Sequence, residues 1–136
     1  MAKKEQYKLE NEEFMRKLRA DSAAGLKELP GGVLYKVERS GSASGRKPGK
    51  QSVVTCHYTG RLISGRMFDD SRRRGHPEAF RVRELIFGFQ VALLNMRPGD
   101  RWTVYIPHTA GYGSRSAGDI PACSTLIFDI ELISVS

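Results

Sequence analysis

The sequence predicts an α+β fold: a twisted antiparallel β-sheet wrapped around one short α-helix, preceded by an N-terminal helix. Three observations carry this reading. Residues 33–38, 52–63, 101–106 and 126–134 alternate apolar and polar side chains, the pattern of strands with one buried face. Residues 87–96 (FGFQVALLNM) form the one internal apolar helix candidate. There is no internal repeat, no parallel βαβ series and no G-x-G-x-x-G opening a helix. The 136 residues suit one domain with a modest core, and a hydrophobic content of 40% is that of a folding chain.

Residues 4–20 predict the first helix. Tyr7, Phe14 and Leu18 share a stripe with Met15 beside it. Glu5, Glu10, Glu12 and Glu13 come first, and Arg16, Lys17 and Arg19 follow in the last turn, an order that suits the helix dipole. A short second helix is expected over residues 21–28, capped by Asp21 and stopped by Pro30-Gly31-Gly32. Residues 33–38 predict a strand with Val33, Tyr35 and Val37 on one face, and residues 40–50 (SGSASGRKPGK) a flexible loop. Along 52–63, Val54, Cys56, Tyr58 and Leu62 share one face; Thr55, His57, Thr59 and Arg61 share the other. Residues 63–66 supply a turn, Met67-Phe68 resumes an extended path, and residues 79–82 predict another short strand. Residues 87–96 are too short to stand alone and too apolar for a surface helix, so they should be buried against the sheet. Pro98-Gly99 ends that helix. Trp102, Val104 and Ile106 then face inward, residues 108–122 form a Gly- and Ser-rich loop, and Leu126, Phe128, Ile130 and Leu132 face inward on the last strand.

Composition narrows the function. No run of about 18 apolar residues exists, so no membrane span is expected. The opening residues are charged throughout and contain no apolar signal core, so a cytoplasmic location is expected. The two cysteines lie far apart without a CxxC, which argues against a disulfide framework or a zinc site; Cys56 reads as a buried, inert thiol. The net charge of +7 raises a nucleic-acid reading, but the cations are scattered at positions 3–4, 46–50 and 72–74. No RNP-like strand, helix-turn-helix or finger spacing accompanies them, so a solvated basic surface is expected and no nucleic-acid partner.

Residues 65–75, GRMFDDSRRRG, pose the chemical question. Nucleophilic catalysis needs a Ser or Cys with a positioned His. Cys56 and His57 are adjacent on a strand and point to opposite faces. His76 and His108 have no obvious acid partner. Asp69-Asp70 lacks further ligands at useful spacing, and there is no phosphate loop, so neither a metal nor a cofactor is expected. Tyr58, Phe68, Phe89, Trp102, Tyr112 and Phe128 come from separate elements; they either converge on one concave face or are ordinary core aromatics, and Trp102 reads as core. An inward phenol needs a hydrogen-bond partner, and Asp69 is placed to accept from Tyr58 and to pair with one arginine of the triplet.

HYTGRLISGRMFDDS, then ELIFGF, AGYG and IPACSTLIFDIEL, resembles the FKBP-type peptidyl-prolyl cis-trans isomerases, over roughly residues 33–135. The N-terminal helix followed by LPGGVLYKV is similar to the bacterial branch, in which a helical segment precedes the isomerase domain. The resemblance implies a helical extension over 1–30 and an isomerase domain over 31–136. The extension is short, without the long dimerisation arm, so a monomer is expected. By the same resemblance, Tyr58, Phe68 and Asp69 form a pocket wall with a buried acid, and Arg74 holds that acid. Leu85 and Ile86 enter the short helix, where the Ile86 N–H would bond a substrate carbonyl. Phe89 is the floor, Tyr112 a hydroxyl donor, Ile120 an apolar lip and Phe128 the last wall. Asp70, Arg72 and Arg73 are left to solvent, and Ser71 to turn chemistry.

Three positions depart from the family pattern: Phe89 replaces the usual Trp, Asp119 puts a charge at the rim, and Glu78 stands at an aromatic wall position. The implied activity is rotation about X–Pro bonds, assisting folding. The alternative is a binding module with little catalysis. The implied partners are proline-containing segments of unfolded or partly folded chains and the family's macrolide ligands, and a basic rim would favour acidic residues near the target proline.

Overall fold

The computed structural model describes residues 2–136. Strand pairing builds one antiparallel sheet. Its strands are β1 (Lys27–Leu29), β2 (Val33–Arg39), β3 (Val53–Arg61), β4 (Met67–Asp70), β5 (Glu78–Arg81), β6 (Arg101–Ile106) and β7 (Leu126–Val135). The spatial order is β1-β2-β6-β7-β3-β4, with β5 also on β3. The last strand therefore lies in the middle, with Ile130 opposite both Tyr58 of β3 and Trp102 of β6. Burial alternates along β3, β6 and the first part of β7, as period-two patterning requires.

Helix α3 (Phe87–Asn95) crosses the inner face and buries Phe89, Val91, Ala92 and Leu93. Val54, Cys56, Val104, Ile106, Leu126, Ile130 and Leu132 complete a fully buried layer beneath it. Each such side chain contributes roughly 1.5–3 kcal/mol by leaving water. Burial also pushes the Cys56 thiol up to about 12, which keeps it protonated and inert.

Helix α1 (Lys3–Ala20) is rich in strong helix formers and lays the predicted stripe on its own chain. Met15 is buried, Tyr7, Phe14 and Leu18 are half-buried, and the Phe14 ring lies 6.4 Å from Tyr105 of β6. A polar residue, Asn11, is fully buried in the middle of that stripe.

Several expectations are corrected. The second helix over 21–28 does not form. Asp21 caps a single 3₁₀ turn, Ser22–Ala24, and Gly25 ends it at φ 65°, a conformation that favours glycine. Residues 27–29 then add to the free edge of β2. Val37 is exposed, while Tyr35, two residues earlier on that face, stacks on Trp102 at 4.1 Å. Leu34, on the opposite face from Val33, is buried as well. Ser71, expected as turn chemistry, instead opens a one-turn helix, α2 (Ser71–Arg74). Among the described residues, no helix is long and apolar enough to cross a membrane.

Candidate active site

A cavity of about 450 Å³ opens where α3 faces β3, β4, β5 and the loop between β6 and β7. Phe89, in the first turn of α3, forms its floor. Its ring meets Tyr58 edge-on at 5.9 Å, Phe128 at 5.1 Å and Phe80 at 6.2 Å, all in tilted or T-shaped geometry that complements the ring quadrupoles. Phe68 of β4 stands at 89° to Phe128, 5.6 Å away. Gly60 makes this approach possible: a Cβ there would lie 2.5 Å from Phe68 Cζ and 2.8 Å from Phe128 Cε1.

One wall is tied together by polar bonds. The Tyr58 hydroxyl donates to Asp69 Oδ2 at 2.7 Å, and Arg74 forms an ion pair with Asp69 Oδ1. Arg74 Nη2 donates to the Tyr58 oxygen at 3.2 Å, and its guanidinium lies 5.8 Å from the Tyr58 ring centre. The Asp70 N–H gives Asp69 Oδ1 a further bond at 3.0 Å. Burial works to raise the Asp69 carboxyl, but the bonds from Tyr58 and Arg74 outweigh it and hold the group below the usual carboxylate value. Burial first, and the carboxylate second, push the Tyr58 phenol up to about 12. At neutral pH the acid is ionised, the phenol is neutral, and neither is poised to exchange a proton.

The local chain explains how Arg74 reaches back. Asp70 caps α2 by accepting from the N–H groups of Arg72 at 3.1 Å and Arg73 at 3.2 Å. The buried Ser71 hydroxyl accepts from the Tyr58 N–H at 2.8 Å, donates to the Tyr58 carbonyl at 3.2 Å, and lies 2.9 Å from His57 Nδ1. These bonds fasten α2 to β3. Asp70 is thus a cap and not a solvent-facing acid. Arg72 is not free either: it pairs with Glu131 of neighbouring β7 at 2.6 Å. Arg73 is exposed, as expected.

The opposite side offers open groups. Ile86 precedes α3, where helix geometry leaves the first N–H groups unpaired, and its N–H has no acceptor among the described residues. Leu85 lies beside it. Tyr112, 43% exposed, lines the cavity, and its hydroxyl has no partner among the described residues. Ile120 is buried at the lip, held by reciprocal bonds with Ala117 at 2.9 Å.

The cavity therefore gathers Tyr58, Phe68, Asp69, Leu85, Ile86, Phe89, Tyr112, Ile120 and Phe128, while Arg74 stands behind the wall. Trp102 belongs to the core. Sequence reasoning missed Phe80, which supplies an aromatic wall beside Tyr58 at 5.5 Å. Its signal was the two-residue alternation of β5, which pairs Phe80 with inward Val54. Glu78 does not line the cavity; its carboxylate accepts from Arg74 Nε at 3.2 Å. The rim is also not basic. Its charged lining residues are Asp69, Glu84 and Asp119, and Asp119 pairs with Arg66 at 3.8 Å. His108, expected without an acid, lies 3.0 Å from Glu12 of α1.

A model of the family described as FKBP-type peptidyl-prolyl cis-trans isomerase matches residues 44–133. The outer membrane protein MIP of Legionella longbeachae is 44% identical over 115 residues, 84% of this chain and 48% of that protein. The macrophage infectivity potentiator of Trypanosoma cruzi is 45% identical over 109 residues, 79% of this chain and 55% of that protein. The chain spans about half the length of the curated relatives it matches. A crystal structure of a peptidyl-prolyl cis-trans isomerase from Pseudomonas syringae pv. tomato has a TM-score of 0.88 at 37% identity, covering 100% of this chain and 98% of that one. On sequence and on fold, the chain belongs to the FKBP-type peptidyl-prolyl cis-trans isomerase family.

Proposed function

We propose that the chain catalyses rotation about X–Pro peptide bonds in proline-containing segments of unfolded or partly folded proteins, and does so without proton transfer. One observation carries this: the aromatic floor shares its cavity with Tyr112 and Ile86, whose hydroxyl and N–H have no partner among the described residues, while the half-buried Asp69 is held by Tyr58 and Arg74. The barrier to rotation is amide resonance, about 18–20 kcal/mol. The planar amide has the larger charge separation, so water stabilises it better than the twisted form. Phe68, Phe80, Phe89 and Phe128 replace that water with ring faces. The two donors anchor carbonyls flanking the proline, so the ring seats best when the bond is twisted. Each tenfold gain needs only about 1.4 kcal/mol of such preference.

The cavity also suits the family's macrolide ligands. Burial of the α1 stripe on its own chain favours a monomer. The carboxylates of Glu84 and Asp119 at the rim favour a second reading, a peptide-binding module with weak turnover. NMR exchange spectroscopy on a short X–Pro peptide separates the two. Faster cis/trans exchange at catalytic protein concentration supports the isomerase; shift changes without faster exchange support the binding module.

A further inference from the structure

The loop over residues 107–125 carries Tyr112 and Ile120, so its placement sets where the donor and the lip stand. Its own bonds are local: the Ala110 N–H to the Pro107 carbonyl at 2.9 Å, the Gly111 and Gly113 N–H groups to the His108 carbonyl at 3.0 and 2.8 Å, the Arg115 N–H to the Tyr112 carbonyl at 3.4 Å, the Ala117–Ile120 pair, the Cys123 N–H to the Gly113 carbonyl at 2.8 Å, and the Ser124 hydroxyl to the Pro121 carbonyl at 2.7 Å. Both ends of the loop are held from outside by α1. At the start, His108 Nε2 lies 3.0 Å from Glu12. At the end, the Tyr7 hydroxyl lies 2.8 Å from Ser124 Oγ, and Asn11 Oδ1 accepts from the Thr125 N–H at 2.7 Å. The Thr125 hydroxyl donates to the Asn11 carbonyl at 3.3 Å, and Asn11 Nδ2 donates to the Tyr7 carbonyl at 2.8 Å. Asn11 is fully buried within an otherwise apolar stripe, where an aliphatic residue would pack more simply. A satisfied buried amide at such a place fixes geometry.

We propose that α1 is a positioning element for this loop, with Asn11 the residue that sets it, acting on turnover through Tyr112 without touching substrate. The inference rests on the isomerase reading, and its test includes a readout that does not. In Asn11→Ala, kcat/KM on an X–Pro peptide falls about fivefold, the rate equivalent of one ordinary hydrogen bond. The loss shrinks to less than about twofold in a Tyr112→Phe background, because the two residues act in series. Tyr7→Phe, which removes only a half-buried hydroxyl, moves kcat/KM the same way by about twofold. Equal losses in both backgrounds would mean a general structural effect and overturn the proposal. So would unchanged activity in folded Asn11→Ala. If Asn11→Ala does not fold, the Tyr7→Phe and Tyr112→Phe cycle decides by the same rule. Amide hydrogen exchange supplies the independent readout: exchange at Gly113, Ile120 and Cys123 rises in the α1 variants while β3 amides hold. If the wild-type chain shows no isomerase activity, the functional reading fails, and the exchange pattern alone upholds or overturns the clamp.

Discussion

On one side of the cavity Tyr58, Asp69 and Arg74 bond to one another, and Ser71 and Asp70 fasten the short helix that carries Arg74. On the other side, Tyr112 and Ile86 line the same cavity, and the Tyr112 hydroxyl and the Ile86 N–H have no partner among the described residues. The bonded wall has its acid already held by Tyr58, Arg74 and the Asp70 N–H, which suits a role in shape more than in recognition. The open side has polar capacity left for a ligand, and on the proposed reading it supplies recognition. A pocket that works by excluding water needs both: an engaged acid that does not draw water in, and donors that gain a partner only when substrate arrives.

Removing what the two sides share should cost most. Phe89→Ala takes away the floor and three ring contacts, and should lower stability by about 3–5 kcal/mol, read by urea unfolding, with loss of measurable isomerisation. Breaking the satisfied wall comes next. Asp69→Ala leaves the Tyr58 hydroxyl and Arg74 without their acceptor, at about 1–2 kcal/mol, and should weaken ligand binding. Unchanged binding and unchanged turnover in this variant would refute the assignment of Asp69. Because the native carboxyl is held below its ordinary value of about 3.9, the stability it adds is present above that pH and is lost as pH falls through the lower native value. Unfolding curves between neutral pH and acid, compared with Asp69→Asn, check that sign.

The open side should respond oppositely. Tyr112→Phe should leave stability within about 0.5 kcal/mol of wild type and lower kcat/KM about fivefold. A stability loss matching that of Asp69→Ala would erase the distinction between the sides. The smallest effect concerns the rim. With Glu84 and Asp119 on the lining, peptides with Lys before Pro should be turned over about two- to threefold better than peptides with Glu there, at low salt. The preference should fade as salt screens exposed charges and disappear in Glu84→Gln/Asp119→Asn. A preference for Glu would restore the basic-rim reading.

Much of this is legible without coordinates. β3 and most of β7 show in the sequence because each buries one face along nearly its full length. The Tyr58–Asp69 bond follows from a phenol that needs a partner, and Arg74 is identifiable through the family resemblance. The Arg72–Glu131 pair is not, because its partners are 59 positions apart and three consecutive arginines look alike until a one-turn helix separates their directions. Phe80 escapes because the family pattern directs attention to position 78, two residues earlier on the same face. β1 has no periodicity of its own and exists because β2 offers an edge. The Asn11–Thr125 bond is invisible for a similar reason: Asn11 sits in a stripe that reads as apolar, and its partner lies 114 positions away.

The central claim is that rotation is driven by desolvation and anchoring, with no proton moved. Asp69 is held below the usual carboxylate range and Tyr58 is raised to about 12, so neither titrates near neutrality. The most direct test is kcat/KM on one uncharged X–Pro peptide between about pH 5.5 and 9, in light and heavy water. The account predicts a flat profile and no solvent isotope effect. A bell-shaped or sigmoid profile with a substantial isotope effect, in protein shown to stay folded across the range, would contradict it.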